Sequence, residues 1–113
     1  MVFLSDFISL RGYMMTISKI QENGKITLAL VGRFDTTTSP QVQEALIPVF
    51  DEFKQVKLDL SQLEYISSAG LRVLLTAKKT ATSKGASLTL SGVSEEIMEV
   101  FEMTGFSDML TLL

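Results

Sequence analysis

The sequence contains no cysteine and no histidine. Without cysteine there is no disulfide, no thiol nucleophile and no thiolate metal site. Without histidine there is no Ser-His triad, no imidazole acid-base shuttle and none of the common zinc sites. No apolar run reaches the roughly 18 residues that a membrane span requires, so no membrane insertion is expected. Ten Lys plus Arg stand against 13 Asp plus Glu, and the net charge of −3 comes with no basic run or stripe. A nucleic-acid partner is therefore not expected. The glycines are scattered, matching neither GxGxxG nor GxxxxGKS/T, so no ordinary phosphate-cradling loop is present. Together these absences disfavour an enzyme of ordinary type.

What remains fits one compact domain. The chain has 113 residues, 46% hydrophobic and 20% charged, values near those of globular proteins and sufficient for a single self-supporting core. The first 14 residues stand apart as an apolar extension ahead of a domain over 15–113. Phe3, Phe7 and Leu10, with Leu4 and Ile8 beside them, fit one face of a short helix. The stretch has no basic start and is interrupted by Asp6, so it lacks a signal-peptide pattern. The expected address is the cytoplasm.

Ile17 and Ile20 mark a first strand, and Asn23-Gly24 supplies the positive-φ pair of a tight hairpin turn. A second strand follows from Lys25 to Val31, then a polar connection from Gly32 to Ser39. Ser39 suits an N-cap and Pro40 a first helical position. Val42, Ala45, Leu46, Val49, Phe50 and Phe53 mark one helical face, which Pro48 should kink or break by removing the bond to the Glu44 carbonyl. Val56-Lys57-Leu58-Asp59-Leu60 alternates as a third strand, with Leu63, Tyr65 and Ile66 in the connection after it. The next helix opens around Ser67-Ser68 and ends before Gly85. Residues 87–91 form a fourth strand; Ser94 caps a last helix with Glu95 and Glu96 in its first turn, and Ile97, Val100, Phe101 and Met103 are placed on its core face. Met98 and Met109 are read, like Met103, as gap-filling core or contact residues. The order β-β-α-β-α-β-α predicts an α/β domain with a mixed sheet, helices packed against it and right-handed crossovers.

Chemistry is best placed at Ser67 and Ser68, where a strand delivers the chain to the mouth of a helix. Two readings are open there. Either serine can cap the helix. A phosphate on Ser68 would also sit where unpaired backbone N–H groups favour an anion, adding roughly −1.5 to −2 charges. Asp35, Asp51, Glu52, Asp59 and Glu64 form no spaced carboxylate motif and are read as solvated charges, with Asp59 ambiguous because it ends a strand.

The runs Gly32-Arg33-Phe34-Asp35-Thr36-Thr37-Thr38-Ser39-Pro40, Leu58-Asp59-Leu60-Ser61 and Ser67-Ser68-Ala69-Gly70-Leu71-Arg72 resemble the anti-sigma factor antagonists. These are the small stand-alone members of the STAS (sulfate transporter and anti-sigma factor antagonist) domain family. Gly92-Val93-Ser94 and Met103-Thr104-Gly105-Phe106 resemble that family's final helix, so the likeness covers about 15–113. It implies a non-enzymatic partner-switching module. The unphosphorylated protein binds an anti-sigma factor that is also a serine kinase, so releasing the sigma factor, and a phosphatase restores the binding form. The kinase brings the ATP, so the resemblance implies no cofactor of the chain's own. Matching Gly70 to the family pattern Asp-Ser-Ser/Thr/Ala-Gly places the phosphoacceptor at Ser68, with Ala69 behind it. Ser67 stands in the aspartate position, as a departure from the pattern and a secondary acceptor. The family places the partner at Asp35, Thr36, Thr37 and Ser39, at the 67–72 turn including Ala69, Gly70 and Arg72, and on the exposed face of the following helix. Arg33 is a further candidate contact. The alternative within the fold is a constitutive accessory subunit of an ABC-type transport complex, in which Ser68 is structural. A hydrolase using Ser68 lacks a base: there is no histidine and no evident Lys or carboxylate partner.

Overall fold

The computed structural model describes residues 2–4 and 15–113. Its elements are β1 (Val2–Leu4), β2 (Thr16–Glu22), β3 (Lys25–Phe34), α1 (Ser39–Leu46), a 3-10 turn (Ile47–Asp51), β4 (Gln55–Ile66), α2 (Ser68–Lys84), β5 (Ser87–Ser91), α3 (Glu95–Thr104), α4 (Phe106–Met109) and β6 (Thr111–Leu112). The strands form one sheet in the order β1-β2-β3-β4-β5-β6. β1, β2 and β3 are antiparallel neighbours, and β3 to β6 run parallel. The mixed α/β sheet expected from the element order is thus the observed one, with a short strand added at each edge.

The hairpin between β2 and β3 turns on Asn23 (φ 54°) and Gly24 (φ 80°), with Glu22 opposite Lys25. Two successive positive φ values match the right-handed twist of the flanking strands. Alternation on the central strands then builds the core in rows. Ile26, Val56 and Leu88 are in register, as are Leu28, Leu58 and Leu90, and all six are buried. Against them lie Val42 and Leu46 of α1, Val49 and Phe50 of the 3-10 turn, Leu71, Val73, Leu74, Ala77 and Ala81 of α2, and Ile97 and Phe101 of α3. The alternate row, Thr27, Lys57 and Thr89, is exposed or half-buried.

Several expectations are corrected. Val2–Leu4 is a strand paired with β2, not part of a helical face; Phe7, Ile8 and Leu10 lie outside the described residues. The cap position of α1 is Thr38, one residue before Ser39: its carbonyl accepts the first helical bond, from the Val42 N–H at 3.1 Å, and no side chain caps this helix. Pro48 does end the regular helix: α1 stops at Leu46 and the chain continues as a 3-10 turn with the proline in its first positions. β3 runs on to Phe34, which is fully buried, through residues read as connection. β4 extends to Ile66, so Leu63, Tyr65 and Ile66 belong to the strand. Two register shifts explain why: Ala29 and Val31 face Asp59 and Gln62, and Gly32 and Arg33 face Leu63 and Tyr65. Each shift inserts an extra residue on β4, which breaks the two-residue period of its buried side chains. Met103 is 86% exposed. It sits six residues beyond Ile97, about 240° around the helix and off the core stripe.

Candidate functional site

Because β3 and β4 are parallel, their carboxyl ends lie on the same rim of the sheet. The chain leaves β3 into the 35–38 loop and leaves β4 directly into α2. One backbone bond ties these exits together: the Ser67 N–H donates to the Phe34 carbonyl at 2.9 Å. The two segments that the sequence reading assigned to the site, 35–39 and 67–72, are therefore neighbours on one rim, although about 30 residues separate them in sequence.

At the mouth of α2 the serines divide the work. Ser67 has extended backbone (φ −102°, ψ 178°), and its Oγ accepts from the Ala69 N–H at 3.2 Å and the Gly70 N–H at 3.5 Å. That is the geometry of an N-cap, which satisfies otherwise orphaned helix donors. Ser68 is the first helical residue, exposed, and its hydroxyl makes no hydrogen bond to another described residue. Ala69 is half-buried and Arg72 exposed on the same helix.

Gly70 is buried, and its lack of a side chain is what seats the helix. A Cβ there would stand 2.8 Å from Ile66 Cγ1, 2.9 Å from the Phe34 carbonyl oxygen and 3.0 Å from Phe34 Cγ. Its place in the candidate site is one of close approach: it brings the first turn of α2 against the end of β3.

The 35–38 loop is held by its own polar atoms. Asp35 Oδ1 accepts from the backbone N–H of Thr37 at 3.0 Å and of Thr38 at 3.2 Å. In return, Thr38 Oγ1 accepts from the Asp35 N–H at 2.9 Å and donates to the Arg33 carbonyl at 2.6 Å. Thr38 is only 2% exposed, the one polar side chain buried among the described residues. Thr36 and Thr37 project from the loop into solvent and Ser39 is half-buried. Asp35 thus shapes the loop before it offers anything to a partner.

Sequence reasoning missed Tyr65. It is 40% exposed, and the Arg33 guanidinium lies 4.1 Å from its ring centroid. Arg33 Nε also stands 3.7 Å from Asp35 Oδ2. A cation over an aromatic ring and beside a carboxylate is held in one orientation, so Arg33, Tyr65 and Asp35 form a preorganised polar-aromatic patch next to the α2 mouth. Only strand register pairs Arg33 with Tyr65, and neither residue carries a local signal of it. Asp59 uses its carboxylate locally, accepting from the Ser61 N–H at 3.0 Å. Among the described residues no helix is long and apolar enough to cross a membrane.

Comparison with known proteins agrees with this architecture. A family model described as Mlab, STAS domain, matches residues 18–112. The anti-sigma-B factor antagonist of Listeria monocytogenes is 32% identical over 95 residues, covering 83% of each chain. The fold is shared with a solved anti-sigma factor antagonist from Mycobacterium paratuberculosis, at a TM-score of 0.80 and 20% identity over 93% of this chain and 89% of that one. It is shared too with the Bacillus cell fate determinant SpoIIAA solved in its phosphorylated form, at a TM-score of 0.68 and 13% identity over 88% and 90% of the two chains.

Proposed function

The chain belongs to the STAS domain family, and we propose that it is an anti-sigma factor antagonist switched by phosphorylation of Ser68. In the unmodified state it binds an anti-sigma factor through the rim formed by residues 35–39 and 67–72 and the adjoining face of α2, which frees the sigma factor. The anti-sigma factor is also the kinase. The Ser68 Oγ attacks the γ-phosphorus of the kinase's ATP; an O–P bond forms, the bond to the ADP oxygen breaks, and the hydroxyl proton passes to a base of the kinase. A phosphatase returns the serine by hydrolysis.

The observation that carries this reading is the division between the two serines. Ser67 spends its oxygen on the cap, so Ser68 is left exposed with no hydrogen-bonded partner among the described residues. A phosphate there leaves the cap intact and meets the favourable end of the helix field, worth about 0.3–1 kcal/mol. The fold survives modification. A partner covering the rim, by contrast, must desolvate a dianion at a cost of several kcal/mol. Binding is lost while structure is kept. The substitution of serine for the family's aspartate at 67 fits the same physics, since serine and aspartate are comparably good N-caps.

The test is intact mass and site mapping after co-expression with anti-sigma-type serine kinases encoded nearby. One added phosphate, at Ser68, is the expected result. A kinase active on another substrate that leaves Ser68 unmodified overturns the switch and favours the constitutive transport-subunit reading, in which Ser68 only opens the helix.

A further inference from the structure

Ser68 and Arg72 stand four residues apart on α2, one turn along the same face, and both are exposed. Helical side chains lean toward the N-terminus, so an acidic group at the earlier position and a base four residues later meet more favourably than the reverse order. α2 contains no Asp or Glu, and no acidic residue occupies its first turn. Arg72 enters neither of the two ion pairs seen among the described residues. Among the described residues, the cation at the end of β3 is already committed, Arg33 being held by Asp35 and the Tyr65 ring. The remaining bases of α2, Lys78, Lys79 and Lys84, lie well beyond its first two turns.

We infer that Arg72 is a phosphate latch: once Ser68 is phosphorylated, the Arg72 guanidinium folds back along α2 and pairs with the phosphate. The inference rests on the Ser68 reading above. A guanidinium offers a planar fork of donors that engages two phosphate oxygens at once, and the helix N-terminus completes the anion's environment. Modification then does two things to the rim. It adds a dianion at 68, and it withdraws from the partner the exposed cation at 72. The latch also offsets part of the new charge within its own helix, one guanidinium against a dianion.

The experiment uses the full chain with phosphoserine installed at 68 during translation, so neither kinase nor anti-sigma factor enters it. Phosphorus NMR follows the second ionisation of the phosphate, ordinarily near about 6. The charged and titratable groups on the elements that meet at this rim are Arg72 on its own helix, Arg33 of β3 and Asp35 just past it, and Glu64 and Tyr65 on β4, with Arg33 turned to Asp35 and the Tyr65 ring. The expected midpoint lies about half a unit lower than in Arg72→Ala or Arg72→Gln, because a paired cation favours the dianion. Arg72→Lys restores part of that shift, and Arg33→Ala leaves the wild-type midpoint in place. Equal midpoints for wild type and both neutral Arg72 variants overturn the latch, as does an equal rise in Arg33→Ala. Either failure leaves Ser68 standing as the acceptor. Absence of modification in the co-expression test defeats that acceptor reading without altering the titration.

Discussion

Ser67 caps the helix that Ser68 begins: the Ser67 Oγ receives the N–H groups of Ala69 and Gly70, at 3.2 and 3.5 Å, while the next residue's hydroxyl faces solvent. Adjacent identical side chains therefore have different energetic roles. Ser67→Ala is expected to cost about 1 kcal/mol of stability through loss of the cap, and Ser68→Ala less than about 0.5 kcal/mol. Ser67→Asp keeps a cap and adds charge at the favourable helix end, for a gain of about 0.3–1 kcal/mol. Equilibrium denaturation of the three variants checks this, and equal losses for the two alanine variants contradict the division.

Gly70→Ala tests the contact between α2 and the end of β3. The added methyl meets the Phe34 carbonyl oxygen at 2.9 Å and Ile66 Cγ1 at 2.8 Å, and a backbone atom cannot swing aside. Overpacking of this kind costs about 1–3 kcal/mol. The expected result is a clear fall in melting temperature; an unchanged melt shows that the first turn of α2 shifts freely.

Thr38→Val replaces a nearly isosteric side chain but deletes the hydroxyl that bridges the Arg33 carbonyl and the Asp35 N–H. Two partly buried backbone groups lose a partner, at the lower end of the range of about 1–3 kcal/mol that a buried unsatisfied group costs. Thr38→Ser keeps both bonds and is expected to lose less. Denaturant titration of the pair decides the point: a Val variant as stable as the wild type shows that the hydroxyl's two bonds contribute nothing net.

Deletion of residues 1–13 is expected to leave a folded domain. The only described contribution of that stretch is β1, three residues long and added to the outer side of β2, whereas the buried rows on β3, β4 and β5 lie elsewhere. A fall in melting temperature of about 5 °C or less corresponds to roughly 1 kcal/mol in a domain of this size. A collapse of the transition shows that the extension belongs to the core.

Much of the fold was legible because its signals are local. Leu58 and Leu60 alternate with Lys57 and Asp59, Asn23-Gly24 fixes its own turn, and Gly85 and Gly105 stop their helices with φ values of 69° and 83°. The helix mouth at Ser67 and Ser68 was legible because two serines at a strand-helix junction already suit a cap. What stayed hidden depends on distant partners. The bulges that carry β4 on to Ile66 exist only against β3, and the Arg33–Tyr65 stack exists only once those strands are paired. No local signal sets Thr38 apart from Thr36 and Thr37; its bond to the Arg33 carbonyl does. The edge strands β1 and β6, with three and two residues, are too short to show a period.

The central claim is that one exposed hydroxyl controls partner binding without controlling the fold. The most direct measurement is calorimetric titration of the anti-sigma factor with the unmodified protein, the Ser68-phosphorylated protein and Ser68→Asp, alongside circular dichroism of each. The account predicts superimposable spectra and at least about a tenfold loss of affinity, roughly 1.4 kcal/mol, in both modified forms. Equal affinities in folded proteins would contradict it.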